Sequence, residues 1–320
     1  MSLTPRADRI SKNFIINGAF DFWQRSTSFS EMNEISGYNS ADRFQLETTN
    51  TSGTRQVQRV LDSPNSKTKY SGELLFDSTG TSTFKIAQRI ESVFARSLSG
   101  EKISISGQFK TDEFTSVRVI LNVADAEDDY ASFTEIYNQV FTLSNDSLWH
   151  KIEIENVLLS NVSNGLEVIF QAELPNEGAN NHSFRFSQLK LAVGEKVQDF
   201  NTRDYDEELQ LCQRYFEKSY DIDVNVGTIS DAGTIADINP PSSGDGLSHR
   251  FRVSKRDIPM ITPYSPRGVG TGNPFFLVQT NTGGDVGCTP VNINTNGFQN
   301  NSGTTDSYQR IYHFTADAEI

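Results

Sequence analysis

The 320-residue sequence predicts a mainly β protein: an N-terminal antiparallel sandwich, one linking helix and a smaller C-terminal β-domain. Three observations predict it: a hydrophobic period of two from about residue 14 to 200, one abrupt change to helical spacing near residue 204, and a shift in composition after residue 220. Within the first stretch Ile103, Ile105, Gly107 and Phe109 alternate with polar residues. So do Val117, Val119 and Leu121, then Ile152 and Ile154, then Leu166, Val168, Phe170, Ala172 and Leu174. Turn-forming clusters such as Asp77–Gly80, Ser144–Asp146 and Pro175–Gly178 separate these runs. Many short strands with no amphipathic helix between them build antiparallel sheets. Phe184 and Phe186 lie in one phase and Leu189, Leu191 and Val193 in the other, so a bulge is expected near Ser187-Gln188.

The helix is expected within 204–220. Asp204 stands as N-cap with Glu207 three residues on, and Leu209, Cys212 and Phe216 follow at helical spacing as its packing face, over about four turns. Acidic Asp206, Glu207 and Glu208 open it, and basic Arg214 and Lys218 lie towards its end, as the helix dipole favours. Residues 221–320 hold 12 of the 22 glycines, 7 of the 10 prolines and a single lysine, Lys255. Candidate strands there are Ile222–Ile229, Leu247–Val253, Pro274–Thr280 and Gln309–Thr315, between long loops such as 240–246 and 268–272. Such loops suit function or contact with another chain. The division expected is thus 1–203, 204–220 and 221–320, the last serving oligomerisation or attachment.

Charge excludes some partners. With 28 Lys and Arg against 41 Asp and Glu the net charge is −13, which disfavours nucleic acid and anionic membranes. No apolar run approaches the ~20 residues of a membrane span, and the N-terminus lacks the apolar stretch of a signal peptide, so synthesis in the cytosol is expected. Cys212 and Cys288 exclude a disulfide scaffold and a cysteine zinc site. One disulfide stays arithmetically open, and cytosolic synthesis favours two buried thiols. His150, His182, His249 and His313 show no metal-ligand spacing, and neither a Gly-x-Ser-x-Gly elbow nor a P-loop occurs. No catalytic residue, metal or cofactor is expected.

Several segments together resemble a family of tailed-bacteriophage virion proteins that begin with a jelly roll similar to carbohydrate-binding modules. They are Asn13-Phe-Ile-Ile-Asn-Gly-Ala-Phe-Asp-Phe-Trp-Gln-Arg-Ser-Thr-Ser28, Ser40-Ala-Asp-Arg-Phe44, Phe184–Gly194, Glu208–Ser219, Pro259–Pro266 and Phe314–Ile320. The resemblance implies a structural virion component, such as a tail fibre, head fibre or decoration protein. It further implies a homo-oligomer, a trimer being favoured, that contacts other virion proteins. A receptor-binding fibre that grips bacterial surface polysaccharide is the alternative, and a polysaccharide depolymerase a third reading. Relatives of the jelly roll often hold calcium between acidic residues of the first turn and last strand. Here Asp21 is kept, but Ser187 stands at the second position, and a hard cation that wants several oxygens loses a ligand.

Sugar binding needs an aromatic platform flanked by carboxylates and amides on a preformed surface. Trp149, Tyr130 and Tyr137, with Asp128, Asp129 and Asn138, are the candidates. Trp23, among Phe20 and Phe22, reads as core. The acidic run Asp125–Asp129 reads as a solvated loop, since charges so dense repel one another.

Overall fold

The computed structural model describes residues 12–31, 35–49, 55–76, 82–174, 182–237, 245–267, 277–279, 285–301 and 310–320. It divides into two compact units: Met1–Asp21 with Thr27–Asp204 and Ile320, and Phe22–Ser26 with Tyr205–Glu319.

The first unit consists of twelve strands and a one-turn helix, α1 (Ser92–Ala95), among the described residues. The strands are β1 (Ser28–Glu31), β2 (Ser36–Gly37), β3 (Gln45–Thr49), β4 (Arg55–Val60), β5 (Ser71–Phe76), β6 (Ser82–Ile90), β7 (Lys102–Thr111), β8 (Ser116–Ala126), β9 (Asp129–Thr142), β10 (Trp149–Leu158), β11 (Leu166–Leu174) and β12 (His182–Val193). They form two six-stranded antiparallel sheets, ordered β1-β4-β5-β12-β7-β10 and β2-β3-β6-β11-β8-β9. The alternating runs of the sequence become β7, β8, β10, β11 and β12, and their apolar members from Ile103 to Ala172 and from Phe184 to Val193 are buried. Rings fill the space between the sheets: Phe184 lies 4.8 Å from Phe114 and 5.7 Å from Phe109, and Phe20 stacks on Phe44 at 4.7 Å.

The expected bulge is present. The β12–β7 register shifts between Ser187 and Lys190, and Gln188 takes a left-handed φ of 53°. That shift lets Phe186 and Leu189 both face the core although they stand three positions apart. The bulge is held by the N-terminal motif. Leu189 N–H donates to Gly18 O at 3.0 Å, and Asn13 Nδ2 donates to Leu189 O at 2.9 Å. Asn13 Oδ1 accepts from both Ile15 and Leu191 N–H at 3.0 Å.

The second unit opens with α2 (Tyr205–Gln213) and continues through β13 (Phe216–Lys218), β14 (Ile235–Asp237), β15 (Asp245–Arg250), β16 (Met260–Tyr264), β17 (Leu277–Gln279), β18 (Asp285–Gly287), β19 (Thr289–Asn294), β20 (Gly297–Asn301) and β21 (Arg310–Asp317). Strand β21 pairs with β13, β14, β16 and β17, while β15, β20 and β19 make a separate three-stranded sheet. Phe251, Ile261, Cys288, Phe298, Tyr312, Phe314 and Ala316 form its core. Cys212 and Cys288 are buried and form no disulfide with each other.

Two expectations are corrected here. The helix stops at Gln213 rather than running four turns, because Phe216–Lys218 pair with Thr315–Asp317 and exchange helical for ladder hydrogen bonds. Phe216 is accordingly buried from a strand; on the helix the buried residues are Glu208, Cys212 and Gln213, with Leu209 partly exposed. Residues 222–229 are turns, not a strand. Val224 N–H bonds Asp221 O and Thr228 N–H bonds Asn225 O, so the intervening Asp and Asn residues curl the chain despite its alternating Ile and Val. The turns at 77–80 and 175–178, the 268–272 loop and most of the 240–246 loop lie outside the described residues.

Candidate functional site

On the outer face of the first sheet one rung crosses all six strands: Ser28, Gln58, Glu73, Arg185, Lys110 and Trp149, in register from β1 to β10. Every member is polar or amphipathic, and Gln58, Glu73, Arg185 and Lys110 alternate with buried residues on their strands. At ~4.8 Å between strands the rung is roughly 24 Å long. Its side chains are bonded end to end. Gln58 Nε2 donates to Glu73 Oε2 at 2.7 Å, and Ser183 Oγ and Arg185 Nε both donate to Glu73 Oε1 at 2.7 Å. Arg185 also bonds Asp62, which reaches in from the loop after β4. Lys110 Nζ donates to Asp62 Oδ2 at 2.9 Å, and Trp149 Nε1 to Asp62 Oδ1 at 3.4 Å.

The electrostatics follow from these bonds. Burial pushes both carboxyls up, but the donors outweigh it: Lys110, Arg185 and Trp149 hold Asp62, and Gln58, Ser183 and Arg185 hold Glu73, below the ordinary carboxylate range. Burial works against the Arg185 charge, yet its two carboxylate partners raise its pKa. Neither carboxyl therefore keeps the proton that a general acid delivers at neutral pH. What the rung offers is a fixed row of donors and acceptors ending on a half-buried indole.

Beside it, Gln108 with its strand partner Lys151, and Ser106, which pairs with Lys190 and Glu153, line a cleft of about 70 Å³. One wall is the loop carrying Asn65 and Lys67, which the buried Gln188 amide ties to the bulge through Asn65 Oδ1 at 2.8 Å and Thr68 Oγ1 at 3.1 Å. The other wall is Asp199 and Phe200. A larger hollow of about 420 Å³ lies on the β15-β20-β19 sheet, lined by amides of Asn292, Asn294, Asn296 and Gln299, but its one aromatic ring other than His249, Phe298, is 2% exposed.

The six residues expected to bind sugar do not converge. Trp149 stands on β10 of one sheet, whereas Tyr137 and Asn138 lie on β9, an edge of the other. Asn138 there accepts from Arg118 at 3.0 Å and donates to Glu135 at 3.0 Å, and Tyr137 donates to Gln139 at 2.5 Å. Tyr130 is corrected as a platform. It is 7% exposed, its hydroxyl donates to Ile90 O at 3.2 Å, and the Arg89 guanidinium covers its ring at 4.8 Å. Asp128 serves the fold: its carboxylate accepts from Ser92 N–H at 2.6 Å and from Ser92 Oγ at 3.1 Å, at the start of α1. Asp129 accepts from Ala131 N–H at 2.9 Å in its own turn. Ser187, the position matching an acidic calcium ligand, is fully buried and donates to Tyr70 O at 3.1 Å. Sequence reasoning missed Asp62, Glu73, Arg185 and Lys110. The alternation of polar with core residues marks their face, but pairing across strands distant in sequence is what aligns them.

No protein-family model matches the chain, and comparison with curated proteins finds no relative. Among solved structures, the chain is similar to the enzymatically active domain of tailspike protein 4 from bacteriophage CBA120, at 12% identity and a TM-score of 0.37. That likeness covers 57% of this chain and 21% of the tailspike. It is similar also to the TmCBM61 module in complex with β-1,4-galactotriose, with 13% identity, a TM-score of 0.35, and 57% of this chain and 100% of that one covered. A third is the CBM22-1 xylan-binding domain of Paenibacillus barcinonensis Xyn10C, with 7% identity, a TM-score of 0.36 and 59% and 99% covered.

Proposed function

We propose that the protein is a glycan-binding component of a bacteriophage particle, a receptor-binding fibre whose jelly roll grips bacterial surface polysaccharide through the outer face of the first sheet. The observation that carries the binding reading is Trp149 at the end of a six-strand polar rung, its indole braced by Asp62. Phage origin and assembly with other virion proteins rest on the sequence motifs. The Asn13–Gly18 motif acts structurally in clamping the bulge beside this face. In this reading the glycan is bound and not cleaved; the two carboxylates of the rung, held below the ordinary range by their partners, supply no general acid there.

The test is binding of the labelled full chain to an array of bacterial surface polysaccharides. Trp149→Ala is expected to weaken the best ligand by about 1–3 kcal/mol, as loss of a buried aromatic anchor does. Unchanged affinity in a folded variant would remove this face from the reading. Incubation with the bound polymer is expected to release no new reducing ends, and their appearance would make the protein a depolymerase. The expected homo-oligomer is checked by sedimentation, where a single-chain mass for the free protein would oppose it.

A further inference from the structure

The small cleft beside Trp149 has a chemistry that the rest of the rung lacks. Lys67 and Lys151 line it with Asp199, and the 97%-buried Lys190, whose strand partner Ser106 is part of that lining, reaches Asp199 beside it, in a chain whose carboxylates outnumber its Lys and Arg 41 to 28. Lys190 Nζ uses one of its three N–H donors on Asp199 O at 2.7 Å. Asp199 also pairs with Lys67 at 3.3 Å, and Glu153 pairs with Lys151. The cations thus exceed the anions by one, and at Lys190 burial already opposes keeping a charge. Burial lowers the pKa of Lys190; Asp199 partly offsets this, and the charges of Lys67 and Lys151 lower it further. The three ammoniums therefore feel one another, and a bound anion would relieve that repulsion. Amides of Asn65 and Gln108 line the same space and supply neutral N–H donors, while Gln188 spends both of its own on Asn65 and Thr68.

We propose that this cleft receives the anionic substituent, carboxylate or phosphate, of a sugar whose ring lies against Trp149. The assignment deepens the glycan-binding reading and rests on it. Size supports a substituent rather than a ring: about 70 Å³ is half the roughly 150 Å³ cavity that holds benzene. The chain thereby selects acidic polysaccharides over neutral ones, although its own net charge of −13 repels them at long range. Local donors decide the outcome because charges beyond about 8–10 Å are screened at physiological salt.

Lysine acylation of the full chain, read by peptide mass spectrometry at constant ionic strength, tests this with three probes: sodium glucuronate, glucose 6-phosphate and methyl glucoside. The anionic probes are expected to slow acylation of Lys67 and Lys151 severalfold, in a saturable manner, while the exposed Lys196 is unaffected. Protection by glucuronate alone identifies a carboxylate, and protection by the sugar phosphate alone identifies a phosphate. Lys151→Gln is expected to weaken the protection of Lys67 by about tenfold in probe concentration, as loss of a hydrogen bond to a charged group does. Equal protection by methyl glucoside, or none by either anion, overturns the proposal. If Trp149-dependent polymer binding survives that result, only the anion site falls. If polymer binding is itself independent of Trp149, the underlying reading falls with it.

Discussion

Asn13 is one side chain that makes three buried hydrogen bonds to backbone groups around the bulge, and it joins the start of the described chain to its last jelly-roll strand. Removing it leaves Leu189 O and two N–H groups without their partner, and each buried orphan costs about 1–3 kcal/mol. Asn13→Ala should therefore lower stability by about 3 kcal/mol, read as a fall in the urea midpoint at unchanged slope. His313 makes a second prediction. It is fully buried, stacked on Tyr220 at 3.6 Å, and lies 2.8 Å from Ser230 O and 2.9 Å from Ser219 Oγ. A carbonyl only accepts, so Nε2 carries the proton and Nδ1 accepts from the Ser219 hydroxyl. Burial keeps the folded pKa below the ordinary imidazole value, against the opposing pull of Ser230, Asp231 and Asp221. The unfolded chain binds a proton near pH 6.5 while the folded one does not, so stability is whole above about pH 6.5 and is lost as pH falls towards the folded value. Denaturation at about pH 7.5 and pH 5 should show this loss, and His313→Gln should flatten it; His249, also lowered by burial, contributes the remainder.

Strand pairing sets the constraints one level up. Gly72 on β5 faces Phe186 on β12 in register, and a Cβ at that glycine would sit 2.2 Å from the Phe186 ring. Gly72→Ala should cost about 1–3 kcal/mol by overpacking. The check is a double-mutant cycle with Phe186→Leu, where a coupling above about 0.5 kcal/mol is expected and simple additivity would deny the contact. The same logic explains the shortened helix. Helical spacing of Leu209, Cys212 and Phe216 is a local signal, whereas the partner of Phe216 is Asp317, a hundred positions away. The buried Lys255 fixes the strand that results, bonding Gln213 O and Glu217 Oε2, while both Glu217 oxygens accept from Arg252 N–H. Lys255 is the one lysine after residue 220, and that isolation was visible in the sequence although its burial was not.

For the molecule as a whole, the second unit draws on residues far upstream. Arg25 pairs with Asp317 at 3.0 Å and Glu319 at 3.5 Å and lies 3.9 Å over the Phe216 ring, and Gln24 Nε2 donates to Phe216 O at 3.0 Å. A fragment of residues 204–320 lacks these groups and should melt at lower temperature and less cooperatively than the same unit in the full chain. Calorimetry of fragment and full chain checks this, and an unchanged transition would show that Phe22–Ser26 contribute nothing to that unit.

Local chemistry in the sequence determined the strand phases of the jelly roll, the bulge at Ser187-Gln188 and the presence of one helix, because alternation, a break in phase and a capping pattern act over a few residues. It also marked Trp149 as a candidate platform ring. Register, the end of that helix and the membership of the site came only from tertiary structure. Tyr130 and Trp149 are equivalent aromatics in sequence, yet one is roofed by Arg89 and the other ends the polar rung. Glu73, Lys110 and Arg185 meet because antiparallel pairing brings residues tens of positions apart to within one strand spacing, and no local pattern encodes which polar residues will share a rung.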